Sequence, residues 1–157
     1  MKEWTITVAR NTLFTDIDIL SQRYSEVGAA SDNLMRGDRI STDTLATVDA
    51  HIVKRLCDHR ANDIRQVMAR FLYEPSAASA ATDAAADTDI VFTLSVPTEA
   101  ENALLPVITD LCHDYIVNGA LADYYAQIGS GNTELPSRRA NECLARIREL
   151  IYHRPMP

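Results

Sequence analysis

Two short runs carry residue types that ligate metals and attack carbonyls: Cys57-Asp58-His59 and Cys112-His113-Asp114. Thiolate, imidazole and carboxylate all bind zinc, and a thiol beside an imidazole is the pairing of cysteine nucleophiles. The spacing works against both chemistries. Adjacent residues on a helix point roughly 100° apart, so neither run closes a tetrahedral site or sets a base against its own thiol. Two helices lying side by side would still offer Cys57 and Cys112 to one ion. The favoured reading puts both thiols in the core, His59 and His113 at its boundary, and no metal or cofactor on the chain.

Asp110 and Asp114 share one helical face at i,i+4, whereas Asp16 and Asp18 do not. A general acid needs such a carboxyl in a sheltered cleft that raises its pKa. Gly129-Ser130-Gly131-Asn132 lacks the Lys and the preceding strand of a phosphate-binding loop, so it reads as a helix stop. Gly37-Asp38-Arg39 is weaker still, and no serine stands in an elbow motif. No catalytic residue is assigned. The enzymatic alternative is a small metal-dependent hydrolase using Cys112, His113, Asp110 and Asp114.

Residues suited to contact another protein are easier to find. Tyr124 and Tyr125, with Tyr115 earlier on the same helix, offer aromatic bulk with a polar tip. Arg138, Arg139, Arg146, Arg148 and Arg154 crowd the carboxy-terminal region beside Glu134, Glu142 and Glu149, while residues 75–101 hold Asp83, Asp87, Asp89, Glu99 and Glu101 with no Lys or Arg. That polarity suits a head-to-tail contact between copies. A small adaptor or regulator gripping nucleic acid through Arg138–Arg154 is the other binding class, but the net charge of -7 opposes it.

These residues need a scaffold, and hydrophobic periodicity outlines one. Leu13, Ile17, Leu20, Tyr24 and Val27 form one side of a helix over about 6–27, capped by Thr5 or Thr7 and left at Gly28. Residues 28–42 have the composition of a connection. Leu45, Val48, Ile52, Leu56, Ile64, Val67 or Met68, and Phe71 mark a second helix over 43–73, on the order of 45 Å long and longer than a small core requires. The Ala-rich stretch 75–89 has no large apolar anchor and reads as a flexible loop. Ile90, Phe92, Leu94 and Val96 alternate with Val91, Thr93 and Ser95, which predicts a strand over 90–96. With no second strand expected, Ile90 and Phe92 are assigned to pairing across a subunit boundary, or to lying extended across helices. Thr98 and Glu101 suggest a capping box opening a third helix, whose regular part starts near Leu105 because of Pro106. Gly119 within it calls for a close crossing by another helix. A fourth helix over 137–152 turns Ala140, Leu144, Ile147 and Leu150 or Ile151 inward. The fold class is therefore mainly α, a bundle of about four helices with one short strand.

At 157 residues, 46% hydrophobic and 24% charged, the chain suits one domain spanning 1–157. No apolar run reaches bilayer length, no secretory leader is expected, and three widely spaced cysteines fit a reducing compartment. A soluble cytoplasmic protein is the expectation.

The order of features in residues 89–155 resembles small prophage-encoded proteins of Bacteroides-like gut bacteria. It is more distantly similar to the helical head–tail connector proteins of tailed phages. The resemblance rests on the extended segment ending at Pro97, on Tyr115-Ile116-Val117 and Leu121-Ala122-Asp123-Tyr124-Tyr125, and on Leu150-Ile151-Tyr152-His153-Arg154-Pro155. It implies a non-catalytic subunit of a ring in the neck or tail of a virion-like particle. The Ala-rich insert and the lone strand depart from the simplest all-helical connectors. Taken together, the expectation is a homo-oligomer, or a complex with a neighbouring structural protein, formed through Ile90, Phe92, Tyr124, Tyr125, Arg138, Arg139 and Arg154.

Overall fold

The computed structural model describes residues 1–36, 50–72, 89–129 and 131–152, without the side chains of 24–36. Along the chain run β1 (Lys2–Val8), α1 (Arg10–Arg36), α2 (Ala50–Val67), β2 (Ile90–Val96), α3 (Leu104–Gln127) and α4 (Glu134–Tyr152). The protein is a mainly α four-helix bundle carrying one short two-stranded antiparallel sheet.

The strand over 90–96 forms as its alternation predicts, but its partner corrects the expectation. Residues 2–8 pair with it in full register, from Lys2↔Val96 to Val8↔Ile90. Trp4, Ile6 and Val8 face the helices together with Ile90, Phe92, Leu94 and Val96, while Glu3, Thr5 and Thr7 face out. Ile90 and Phe92 are 4% and 1% exposed, so they belong to the chain's own core and offer nothing to a second subunit.

Helix α1 accordingly begins at Arg10 rather than near residue 6. The Arg10 backbone N–H, a first-turn donor without an intrahelical acceptor, donates to Asp89 Oδ1 at 3.1 Å, so the residue just before β2 caps α1. Leu13 and Ile17 fall in the core as their spacing predicts. Gly28 does not end this helix, which continues through Arg36; of the expected connection, 37–42 lies outside the described residues, as does most of the Ala-rich 75–89 segment.

Helix α2 stops at Val67 rather than at 73. Met68–Phe71 turn, Leu72 bridges to Leu94, and the Ser95 N–H donates to the Phe71 carbonyl at 2.6 Å. Both edges of β2 are thus used, one by β1 and the other by this turn. The 18 described residues of α2 span about 27 Å, and 43–49 lie outside the described residues.

Helix α3 is the hub. Every residue from Tyr115 to Ala122 is buried, as expected of a helix enclosed on all sides, and it packs on α1, α2, α4 and β1. It opens at Leu104 with Ala103 as an N-cap that makes no side-chain bond, so Thr98 and Glu101 form no capping box. Thr98 Oγ1 instead accepts from the amino terminus at 3.1 Å. Pro106 sits in the first turn, where its missing N–H costs nothing. Gly129, at φ 70°, takes the left-handed conformation that ends α3. Helix α4 starts three residues earlier than expected, with Ala140 and Ile147 fully inward and Leu144, Leu150 and Ile151 at the margin.

Candidate functional site

Among the residues that sequence chemistry singles out, the structure brings His113 and Asp16 together, and it leaves the cysteines apart from any base. Cys57 and Cys112 are buried free thiols, and burial pushes each up to about 12. Cys143, half-buried on α4, is also raised, by burial first. A thiol with a pKa near 12 is only ~10⁻⁴ thiolate at pH 8. In the native protein, Ellman's reagent is therefore expected to modify Cys143 slowly and the other two hardly at all, with all three reacting in denaturant. Rapid reaction of two or more thiols would contradict that placement. His59 is exposed, and His113 turns away from Cys112 to bond Asp16 Oδ2 through Nε2 at 2.6 Å, tying α3 to α1. Partial burial raises the Asp114 carboxyl, Asp110 and Asp16 add to the effect, and His113 and Arg139 oppose it. Among the described residues, no three His, Cys, Asp or Glu side chains group so as to hold a metal ion.

The most developed polar constellation is one the sequence did not single out. Helices α2 and α4 both lie on α3 and leave a shallow groove between them, with Arg60 across its floor. Arg60 bonds Asp123 with two nitrogens, Nε to Oδ2 at 2.8 Å and Nη2 to Oδ1 at 2.6 Å. Its Nη1 donates to the Tyr115 hydroxyl at 3.1 Å, and that hydroxyl donates to Asp63 Oδ2 at 3.0 Å. Burial works against the Arg60 charge, yet the bonds to Asp123 and Tyr115 outweigh it and hold the guanidinium above its ordinary pKa. Gly119 makes this crossing possible. A β-carbon there would lie 2.7 Å from Arg60 Cδ and 2.8 Å from Nε. The close approach expected at Gly119 is thus made by a side chain of α2. One end of the groove is closed by Tyr152, whose hydroxyl donates to the Val67 carbonyl at 2.7 Å and whose ring packs edge-on against Phe71. The network is fully partnered within the chain, so it reads as a clamp between α2 and α3.

The residues assigned to protein contact divide. Tyr125 is 5% exposed, with its ring edge-on to the half-buried Tyr124, so Tyr125 is core. Arg138 and Arg139 are exposed on α4, Arg138 only loosely paired with Glu142 at 3.9 Å. Arg154 lies outside the described residues.

The sheet adds a surface that the side-chain inventory does not reveal. Because the Ser95 N–H points to Phe71, away from β1, Ser95 and its partner Glu3 do not exchange hydrogen bonds. Antiparallel pairs alternate, so Trp4, Ile6 and Val8 bond β2 while the N–H and C=O of Glu3, Thr5 and Thr7 point outward. No described residue bonds these groups. Among the described residues β1 is an open edge strand, without proline or bulge and with charge only at Lys2 and Glu3.

No described helix is long and apolar enough to cross a membrane. In comparisons with known proteins, the chain matches no family model, no curated protein and no solved structure.

Proposed function

We propose that this chain is a non-catalytic structural subunit that works by assembling with other protein subunits. The observation that carries the reading is the outer edge of β1, where the backbone donors and acceptors of three alternate residues, Glu3, Thr5 and Thr7, are bonded by no described residue. An edge of this kind is a template for one more strand, with affinity from main-chain bonds and selectivity from alternate side chains. Its only charges, Lys2 and Glu3, stand at the start of the strand, and Trp4–Val8 carry neither charge nor proline to guard against such pairing.

Arg138 and Arg139 supply a second, charged contact on the far helix α4, where solvent screening makes them a matter of orientation more than of affinity. The ring-forming connector of a virion neck or tail, implied by the resemblance of residues 89–155, is the specific assembly in which such a subunit would serve. Two supports for intersubunit contact have moved. The strand over 90–96 is paired within the chain, and the described part of α2 is of ordinary length; the contact role passes to β1.

Light scattering after size exclusion, over a range of concentrations and at two salt levels, tests the reading. A defined multimer of the 17.4 kDa chain is expected. Exchanging Arg138→Glu and Arg139→Glu together is expected to weaken association severalfold at low salt and much less at high salt, with the thermal midpoint unchanged. A multimer indifferent to these exchanges would remove the arginines from the contact.

A further inference from the structure

We infer that the strand which completes the sheet is β1 of a second copy, antiparallel, with the two Thr5 residues facing each other across a two-fold axis. This rests on the assembly reading above and names its partner.

The phase of hydrogen bonding limits the choices. Across an isologous antiparallel contact, outward residues must meet outward residues, and only Glu3, Thr5 and Thr7 qualify. With the axis on Thr5, Thr5 pairs with Thr5 and Glu3 with Thr7, so all three residues give their N–H and receive at their C=O. Moving the axis to Trp4 or Ile6 leaves one of the three without an outward partner. Moving it to Glu3 sets two carboxylates opposite each other and leaves most of β1 unpaired.

Side chains agree with this register. On the exposed face the pairs are Thr5 with Thr5 and Glu3 with Thr7, and hydroxyl-bearing β-branched neighbours pair well in sheets. On the helix-facing side Trp4 meets Ile6, an aromatic against a β-branched residue. Lys2 falls opposite Val8, so no like charges face each other. The order of strands across the dimer becomes β2-β1-β1-β2, and the edge left at each end is the one already occupied by the Phe71 turn.

Thr5→Pro is the deciding variant. Its lost N–H points outward, so the ladder to β2 is kept, and proline is tolerated on an edge strand at such a position. Thr5→Lys is the second variant, placing two cations opposite each other without touching the backbone. The wild-type chain is expected to sediment as a dimer, and both variants as monomers with unchanged far-ultraviolet circular dichroism. For register, Thr5→Cys is expected to give a covalent dimer on mild oxidation, while Thr7→Cys, opposite Glu3, gives at least tenfold less. A wild-type chain that is monomeric at every concentration overturns the second copy as partner while leaving the edge available to a different strand. A dimer that survives both Thr5→Pro and Thr5→Lys overturns the edge itself, though assembly by another face would stand. Efficient cross-linking by Thr7→Cys instead of Thr5→Cys overturns the register.

Discussion

Phe92→Ala is expected to lower the stability of the chain by about 3–5 kcal/mol, the usual cost of emptying a buried aromatic site. The Phe92 ring is 1% exposed, with the Arg65 guanidinium over it at 5.1 Å. It faces the helices from β2, next to its ladder partner Ile6. Because small domains hold only about 5–15 kcal/mol in total, the variant should have a much lower urea midpoint with an unchanged slope. Val91, one residue away but 45% exposed on the opposite face, provides the control. Val91→Thr should shift stability by no more than about 0.5 kcal/mol. The contrast separates two accounts of the strand. If β2 were a contact between subunits, Phe92→Ala would reduce association and spare the monomer. If it is core, the monomer itself is damaged.

The second large effect belongs to the Arg60 clamp, and its diagnostic feature is a change of sign. Gly119→Ala in an ordinary buried helix would gain close to 1 kcal/mol of propensity. Here the added methyl would press on Arg60 at 2.7 Å, and Arg60 cannot simply swing away while two bonds to Asp123 and one to Tyr115 hold it. The net expectation is a loss of about 1–2 kcal/mol, typical of overpacking. Arg60→Ala on its own removes the partner of Asp123 and of the Tyr115 hydroxyl. With the side chains of Arg60 and Asp123 at 20% and 28% exposure, the cost falls between that of surface and fully buried pairs, about 2–3 kcal/mol. In the Arg60→Ala background, Gly119→Ala should become stabilising, because the atoms it would meet are gone. Denaturant titrations of the four proteins in this cycle give the coupling directly. Additive effects, with Gly119→Ala unfavourable in both backgrounds, would show that the glycine answers to something other than Arg60.

The elements with helical rhythm were legible in the chain because their apolar stripes are long. Leu13 and Ile17, Leu56 and Ile64, Ile108 and Tyr115, and Ala140 and Ile147 all fall in the core where their spacing puts them. The strand over 90–96 was equally legible from its alternation. Its partner was not read, although Trp4, Ile6 and Val8 alternate with Glu3, Thr5 and Thr7 as cleanly. The stripe beginning at Leu13 invites extending the helix backwards across Ile6, and threonines at 5 and 7 look like caps. Only the antiparallel pairing with β2 makes the period of two decisive. The early end of α2 was hidden for a related reason. Phe71 and Leu72 are apolar in either conformation, and their choice of the β2 edge over another helical turn is a tertiary preference.

For the functional surfaces the sequence was informative about chemistry and silent about geometry. Arg60, Asp63, Tyr115 and Asp123 lie across 64 positions and belong to two helices, so no local motif announces them. Gly119 was the one usable signal, since a glycine inside a long apolar helix asks for a close neighbour. The open edge of β1 is made of backbone groups, and side-chain types record it only through the absence of proline and the lack of charge beyond Glu3. Tyr125 illustrates the opposite error: an aromatic with a polar tip suits an interface, but its phenol reaches inward toward the Ser21 carbonyl at 3.5 Å.

Sedimentation velocity of the full chain over a wide concentration series tests the central claim most directly. A species of twice the 17.4 kDa chain mass, or a higher multiple of it, that grows with concentration and persists at moderate salt is expected. A single monomeric boundary throughout the series would contradict the claim that this protein assembles with itself.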